Sequence, residues 1–432
     1  MKGAQLVSFL VLLSIASSCG VFQKVVITKQ LEFESDFYHH HSGFALYDPE
    51  KRRFTYEYNS DKYFTPGSNT KILTMYASTI LLRDSVKALE YIEKGDSLIF
   101  WGTGDPSFLN PNTYDSYNAF SFLKDSNKKL YYSESNFHDE HFGAGWAWDD
   151  YYFGFSAEKS PFPVYGNVVV FTKYDSINEV ISSIPYFDKH VIPMDSTSKK
   201  ATIMRSLDHN EFNYYLGPGS FEYQRPFITS GELTATLLAD TLKQEVTLID
   251  FIKPNKTNTI YSVPIDSLFK SLMQPSDNFV AEQLLMLCSN EMGDSLKVEK
   301  AIDKFKNDYL FDLPDEPIWK DGSGLSRYNL LTPRSIVKLW EKLLNELGEE
   351  RIFGVVAVGG ESGTLKNYYK ADTPYIYGKT GTLSNVHSLS GFIKTKKGRV
   401  LIFSYMNNNY PVYSSQIKPG MERLLREIYE KY

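Results

Sequence analysis

The chain has 432 residues, 42% hydrophobic and 15% aromatic, enough for two or three cores and free of the bias of a disordered polymer. Its formal net charge of −6 leaves no basic excess, which sets nucleic acid aside as a partner.

At the start stand Lys2, an apolar run from Leu6 to Ile15, and the small residues Ala16-Ser17-Ser18 before Cys19. That is the layout of a secretory signal over residues 1–18, too short to be a comfortable membrane span. Small residues closing on a cysteine resemble a bacterial lipoprotein processing site, although Ala16 stands where a large aliphatic residue is usual. The expectation is an exported protein of the bacterial envelope, in the periplasm, with a lipid anchor on Cys19. Cys288, inside Leu284-Leu285-Met286-Leu287, is then expected to be a buried helical thiol outside any disulfide.

After a short polar linker, Gly43–Tyr47 and Phe54–Tyr58 read as a β-hairpin around Asp48-Pro49-Glu50-Lys51. Thr65 can cap a helix and Pro66 suits its first turn; Ile72, Leu73, Tyr76, Ala77, Ile80 and Leu81 continue an apolar face. This helix is expected to run to about Glu93. From about Asp96 the texture turns aromatic and glycine-rich, with a strand over Asn167–Phe171, a helix over Glu232–Gln244 and a strand over Val246–Ile249. A β-rich insert over 96–257 thus interrupts a unit made of 24–95 and 258–432.

Beyond the insert, two helices, around Leu268–Met273 and Phe279–Leu285, are separated by Pro275-Ser276-Asp277-Asn278. A helix over Pro333–Leu347 follows the turn-rich Asp321–Ser326. Tyr375–Tyr377, Leu389–Ile393 and Val400–Tyr405 read as strands, and a final helix covers Pro419–Tyr429.

The chemistry centres on Ser68 and Lys71. Three residues apart in the opening turn of a helix, their side chains share a face, and the positive helix end favours a developing alkoxide. Burial shifts a lysine toward its neutral amine, which can take the serine proton. The spacing alone is weak, since it recurs at Ser121, Ser126, Ser156, Ser196, Ser267, Ser335 and Ser415. Two further motifs strengthen it, Ser276-Asp277-Asn278 between helices and Lys379-Thr380-Gly381 on a strand. The triplet is shared by β-lactamases and penicillin-binding proteins. In acyl transfer, Ser68 would attack a carbonyl while Ser276 and the two lysines carry its proton to the leaving amine. Asn278 would orient the substrate amide, and Lys379 and Thr380 would meet a terminal carboxylate. Gly381 would let a substrate backbone approach, and the N–H groups of Ser68 and Thr382 would form an oxyanion hole.

These motifs, with Gly102-Thr103-Gly104-Asp105-Pro106, Gly145-Trp146-Ala147-Trp148-Asp149-Asp150, Asp321–Arg327 and Gly378–Leu383, make the chain resemble the class C penicillin-binding proteins, a serine D-alanyl-D-alanine carboxypeptidase/endopeptidase family. The resemblance spans nearly the whole mature chain. It implies an α+β fold: a penicillin-recognising transpeptidase/β-lactamase-like domain, its antiparallel sheet flanked by helices, with a large insert. It implies peptidoglycan stem peptides as substrate and β-lactams as covalent inhibitors. It also implies that Asp150 and Arg327 hold the zwitterionic end of the stem peptide's diaminoacid, with Phe155 as an apolar wall. Ser384 stands where another family contact would fall.

No cofactor or metal is expected. His138 and His141 flank Asp139-Glu140, and His39-His40-His41 cluster near the N-terminus, but neither group has a third partner in view and solvated loops are the plainer reading. Two alternatives stay open, a β-lactamase-like hydrolase with rapid deacylation and a catalytically silent wall-binding lipoprotein.

Overall fold

The structure, a computed structural model, describes residues 25–114, 116–175, 179–195, 198–293 and 295–432. The expected signal segment and Cys19 lie outside the described residues.

At the centre is a six-stranded antiparallel sheet, ordered Ala357–Val358, Ile376–Leu383, Val386–Lys394, Val400–Asn408, His41–Asp48 and Arg53–Tyr58. Its inner strands are apolar on both faces because both faces are covered. Strand alternation sends Phe44, Leu46, Leu401, Phe403 and Tyr405 to one core and Ala45, Tyr47, Ile402 and Met406 to the other. The first core is closed by the helix Ser414–Lys431 and by a helix through residues 25–38, whose Ile27 and Leu31 are buried. That N-terminal helix stands where a polar linker was expected; its few apolar residues count only because the sheet lies beneath them.

The second core holds the helices Lys71–Leu81, Ile265–Met273, Asn278–Glu291, Val298–Tyr309 and Pro333–Val355. Two of them are covered on all sides: every residue from Lys71 to Ser78 is buried, and so is every residue from Phe279 to Asn290. Pro333–Val355 starts with Pro333 behind a Thr332 cap and breaks at Gly348 (φ 75°), next to the expected end at Leu347.

The region after Leu81 departs from expectation. The helix stops there, and Ser85–Lys94 is a strand paired on one side with Ser97–Gly102 and on the other with Asn258–Pro264. Its apolar residues fit either period; two available strand partners decide. The five-stranded mixed sheet containing these strands, ordered Val246–Leu248, Lys129–Tyr132, Ser97–Gly102, Ser85–Lys94 and Asn258–Pro264, therefore runs across both expected joints, 95/96 and 257/258. Two three-stranded sheets accompany it, Phe221–Pro226 with Val168–Lys173 and Ile181–Ser182, and Val191–Met194 with Phe212–Tyr215 and Thr202–Arg205. Phe100, Phe171, Phe187 and Phe212 join all three into one hydrophobic cluster.

Cys288 is a free, buried thiol on the Asn278–Glu291 helix, its pKa pushed up to about 12 by burial. Among the described residues no helix is long and apolar enough to cross a membrane.

Leu284 is wholly buried on the helix that carries Asn278. Leu284→Ala should cost about 2–5 kcal/mol, read as a lowered urea midpoint with an unchanged slope.

Candidate active site

The Ser68 turn is tighter than expected. Gly67–Thr70 forms one 3₁₀ turn that feeds directly into the helix Lys71–Leu81, and neither Thr65 nor Pro66 gives a side-chain cap. Gly67 takes φ +52°, and Thr70 Oγ1 donates to the Gly67 carbonyl at 2.9 Å. Ser68 is half-buried at this helix end.

Lys71 is wholly buried. Its Nζ lies 3.0 Å from Ser68 Oγ, 2.6 Å from Asn278 Oδ1 and 2.6 Å from the Ser323 carbonyl. Burial lowers its pKa to about 8, against the opposing charges of Asp321, Glu282 and Asp277. A neutral amine fits this setting closely: it has two N–H donors for the two carbonyl-type oxygens and one lone pair for the Ser68 hydroxyl.

Lys379 is also wholly buried, and its Nζ meets Ser276 Oγ at 2.7 Å and the Thr380 carbonyl at 2.9 Å. Its pKa falls well below the ordinary value through burial and then through the Lys71 cation. Ser276 sits at φ +68°, a conformation that costs a residue with a Cβ about 1–2 kcal/mol. Asp277 caps the helix Asn278–Glu291 by accepting from Val280 N–H at 3.0 Å, so Asn278 begins the helix with its side chain turned to Lys71. Its Nδ2 donates to the Phe155 carbonyl at 3.0 Å, joining the second motif to the insert.

The third motif is seated against the first by contacts the sequence did not reveal. Asn69 Nδ2 donates to the Lys379 carbonyl at 3.2 Å; Ser390 Oγ donates to Asn69 Oδ1; Trp340 Nε1 reaches Ser390 Oγ at 2.9 Å. Gly381 has a packing reason to be glycine as well: a Cβ there would stand 2.2 Å from the Pro66 carbonyl. Gly324 (φ +84°) is likewise required, since its Cβ would fall 2.0 Å from the Gly67 carbonyl. Ala357–Val358 pairs only with Tyr377 and Gly378, so the outer edge from Lys379 to Leu383 carries no strand partner among the described residues. Thr380 Oγ1 donates to Thr364 Oγ1 at 2.7 Å, and Thr382 Oγ1 shares a hydrogen bond with His387 Nδ1 at 2.8 Å. A cavity of about 260 Å³ opens beside both threonines.

Phe155, 46% exposed, stacks on Phe153 and lines a cavity of about 330 Å³ together with Ser276 and Asn278. Asp150 and Arg327 do not line that cavity. Burial and then Asp149 raise the Asp150 pKa and the Arg327 charge opposes them, yet the two form no ion pair within 4.0 Å. Arg327 donates instead to the Ser384 carbonyl at 3.4 Å. The Asp321–Ser326 turn is held by the Asp321 carboxylate, which accepts from Trp146 Nε1 and Asn329 Nδ2 and from the N–H groups of Gly324 and Ser326.

One histidine of each group is held by protein partners. His40 is buried, bonded to Asn407 and Ser42; His141 lies against the Lys159 carbonyl and Thr229; Asp139 pairs with Lys159. No cluster of three or more metal-ligating groups occurs among the described residues.

A half-buried serine, a buried amine in reach of it, a second serine–lysine pair and an open strand edge lie together on an antiparallel sheet flanked by helices, the groups that serine-type acyl transfer would require. Residues 30–428 match the D-Ala-D-Ala carboxypeptidase 3 (S13) family, and the chain belongs to that family. It is thus a serine-type D-Ala-D-Ala carboxypeptidase. It is similar to the D-alanyl-D-alanine carboxypeptidase DacB of Haemophilus influenzae, with 24% identity over 433 residues and 85% of each chain covered. Its fold is similar to that of penicillin binding protein 4 (dacB) of the same organism, with a TM-score of 0.72, 19% identity, and 90% and 97% of the two chains covered. A predatory peptidoglycan endopeptidase from Bdellovibrio bacteriovorus matches with a TM-score of 0.51 at 17% identity, over 90% and 93%. The fold is the penicillin-recognising, β-lactamase-like one.

Gly381→Ala should push its strand off the Ser68 turn. We expect kcat/KM on a D-Ala-D-Ala peptide to fall about a hundredfold, with the circular dichroism spectrum unchanged.

Proposed function

We propose that the chain is an exported peptidase that opens the D-Ala-D-Ala bond of peptidoglycan stem peptides, and D-Ala cross-links, through an ester on Ser68. The observation that carries this reading is the Lys71 amine, buried and 3.0 Å from the Ser68 hydroxyl. Ser68 Oγ attacks the carbonyl as its proton passes to Lys71. The N–H groups of Ser68 and Thr382 receive the oxyanion; in support, a Cβ on Gly67 would stand 3.1 Å from the Thr382 nitrogen. Ser276, bonded to Lys379, relays the proton taken up by Lys71 to the leaving amine, which returns Lys71 to the neutral form, and the carboxylate of that amine meets Lys379, Thr380 and Thr382 along the open edge at Gly381. Asn278 bridges Lys71 and the substrate amide. Water then attacks the ester with Lys71 again as base. Asp150, Phe155 and Arg327 form the pocket for the far, zwitterionic end of the stem peptide; the lack of a bond between Asp150 and Arg327 leaves an ammonium site and a carboxylate site apart. A β-lactam acylates the same Ser68 and blocks it. No metal or cofactor enters any step.

We place the protein in the periplasm, lipid-anchored through Cys19 after removal of residues 1–18. The inserted unit is best counted from Ser85 to Pro264, because its sheet includes both end strands.

Ser68→Ala should abolish covalent labelling by fluorescent penicillin and lower pentapeptide cleavage at least about a thousandfold. Intact-mass measurement should find one β-lactam adduct on the wild type only. An unlabelled wild type would overturn the reading, and an adduct lost within seconds would favour a β-lactamase.

The pH dependence follows from Lys71. Its pKa, lowered to about 8, makes the amine more fully neutral as pH rises, so acylation should climb through that value and then level off. Lys71→Arg should remove acylation across the range, because guanidinium holds its proton.

A further inference from the structure

Glu282 lies one turn beyond Asn278 on the helix Asn278–Glu291 and is 1% exposed. Its Oε1 accepts from the Ser323 N–H at 2.8 Å, while its Oε2 has no partner among the described residues. The carbonyl of the same Ser323 receives Lys71 Nζ at 2.6 Å. One residue therefore links a buried acid, through its N–H and its C=O, to the amine beside Ser68. Glu282 also lines a cavity of about 320 Å³ that reaches the surface by way of His138, Lys297, Glu299 and Asp303. A wholly buried carboxyl held only by the Gly322–Ser323 backbone is costly, and an isosteric amide could hold Ser323 equally well.

We propose that Glu282 is a positioning residue of the acyl-transfer site: it holds Ser323 so that its carbonyl meets Lys71, and its charge sets how readily Lys71 releases a proton. This rests on the reading of Ser68 and Lys71 given above. The cavity connects the Glu282 carboxyl to bulk solvent, so the acid can exchange protons although its helix is buried. The charged groups around the Glu282–Lys71 pair come from four elements. Lys71 stands on the helix Lys71–Leu81, Asp321 on the Asp321–Ser326 turn, and Asp277, at the head of the Glu282 helix, bears on Lys71. Lys159, paired with Asp139 at 2.9 Å, faces Glu282 from the insert. Burial and then Asp321 push the Glu282 carboxyl upward, and Lys159 pulls it back. Lys71 in turn is held up by Asp321, Glu282 and Asp277 against its own burial. When Glu282 is ionised it favours the Lys71 ammonium; when it is neutral, the free amine needed for attack is favoured.

The test is the pH profile of acylation by fluorescent penicillin for the wild type and Glu282→Gln. Glutamine retains the Oε1 that accepts from Ser323 and removes only the charge. The midpoint assigned to Lys71 should move toward acid by about half a unit or more, making the variant the faster enzyme, relative to its own plateau, on the acid limb. A merely structural role predicts superimposed profiles, which would overturn the inference. Should the variant fail to fold, the wild-type profile decides. Two ionisations are expected, the second on the acid side of that of Lys71, and a single one would overturn the inference. A wild type that takes no label at Ser68 would instead remove the underlying reading, and this inference with it.

Discussion

The structure depends on the burial of one amine. Lys71 leaves water entirely and is met by three oxygens from three parts of the chain: the Gly67–Thr70 turn that leads into its own helix, the helix that begins at Asn278, and the Asp321–Ser326 turn. A charged ammonium in that place would carry a desolvation cost of several kcal/mol. Two acceptors and one hydroxyl suit the neutral form, so the packing that closes the core is also what frees the amine to take a proton. Nearby carboxylates keep this from going too far, holding Lys71 within reach of protonation near neutrality.

That arrangement needs two rigid surfaces to meet. One is the helical core, where Asn278–Glu291 and Lys71–Leu81 pack with nearly every side chain covered. The other is the sheet, whose strand Ile376–Leu383 presents Lys379 inward and leaves an edge free beyond Gly378. Asn69, Ser390 and Trp340 tie the serine turn to that sheet, and two glycines, Gly324 and Gly381, permit backbones to approach where a methyl group would not fit. The strained Ser276 fits the same pattern: its left-handed conformation is tolerated because the Asp277 cap and the Lys379 amine hold it on either side.

The hairpin, the C-terminal strands and most helices of the core were legible because their periodicity and turn residues agree with the environment they fold into. Ser85–Lys94 was not. Its apolar residues continue a helical spacing, and only its pairing with strands on both sides makes it extended. The helix through residues 25–38 was missed because its apolar face is narrow and its partner, the sheet, is assembled largely from the far end of the chain. Among site residues, Ser68, Lys71, Ser276, Asn278 and Lys379 were readable as motifs. Asn69, Ser323 and Glu282 stand beside or inside those motifs, yet nothing in their type separates them from ordinary polar residues. Gly381 was read only for substrate approach; its close approach to the Pro66 carbonyl was not legible.

Sequence alone determined the chemical inventory, two serine–lysine pairs and an amide in a fixed order, because residue type and local spacing specify which groups can share a helix turn or a strand. It also determined family membership, since residues 30–428 carry the S13 pattern. Tertiary structure decided the protonation behaviour of the lysines and the partners of each hydroxyl. Burial and Coulomb interaction are properties of three-dimensional neighbours, and Lys71 lies 207 residues from Asn278 and 252 from Ser323 along the chain.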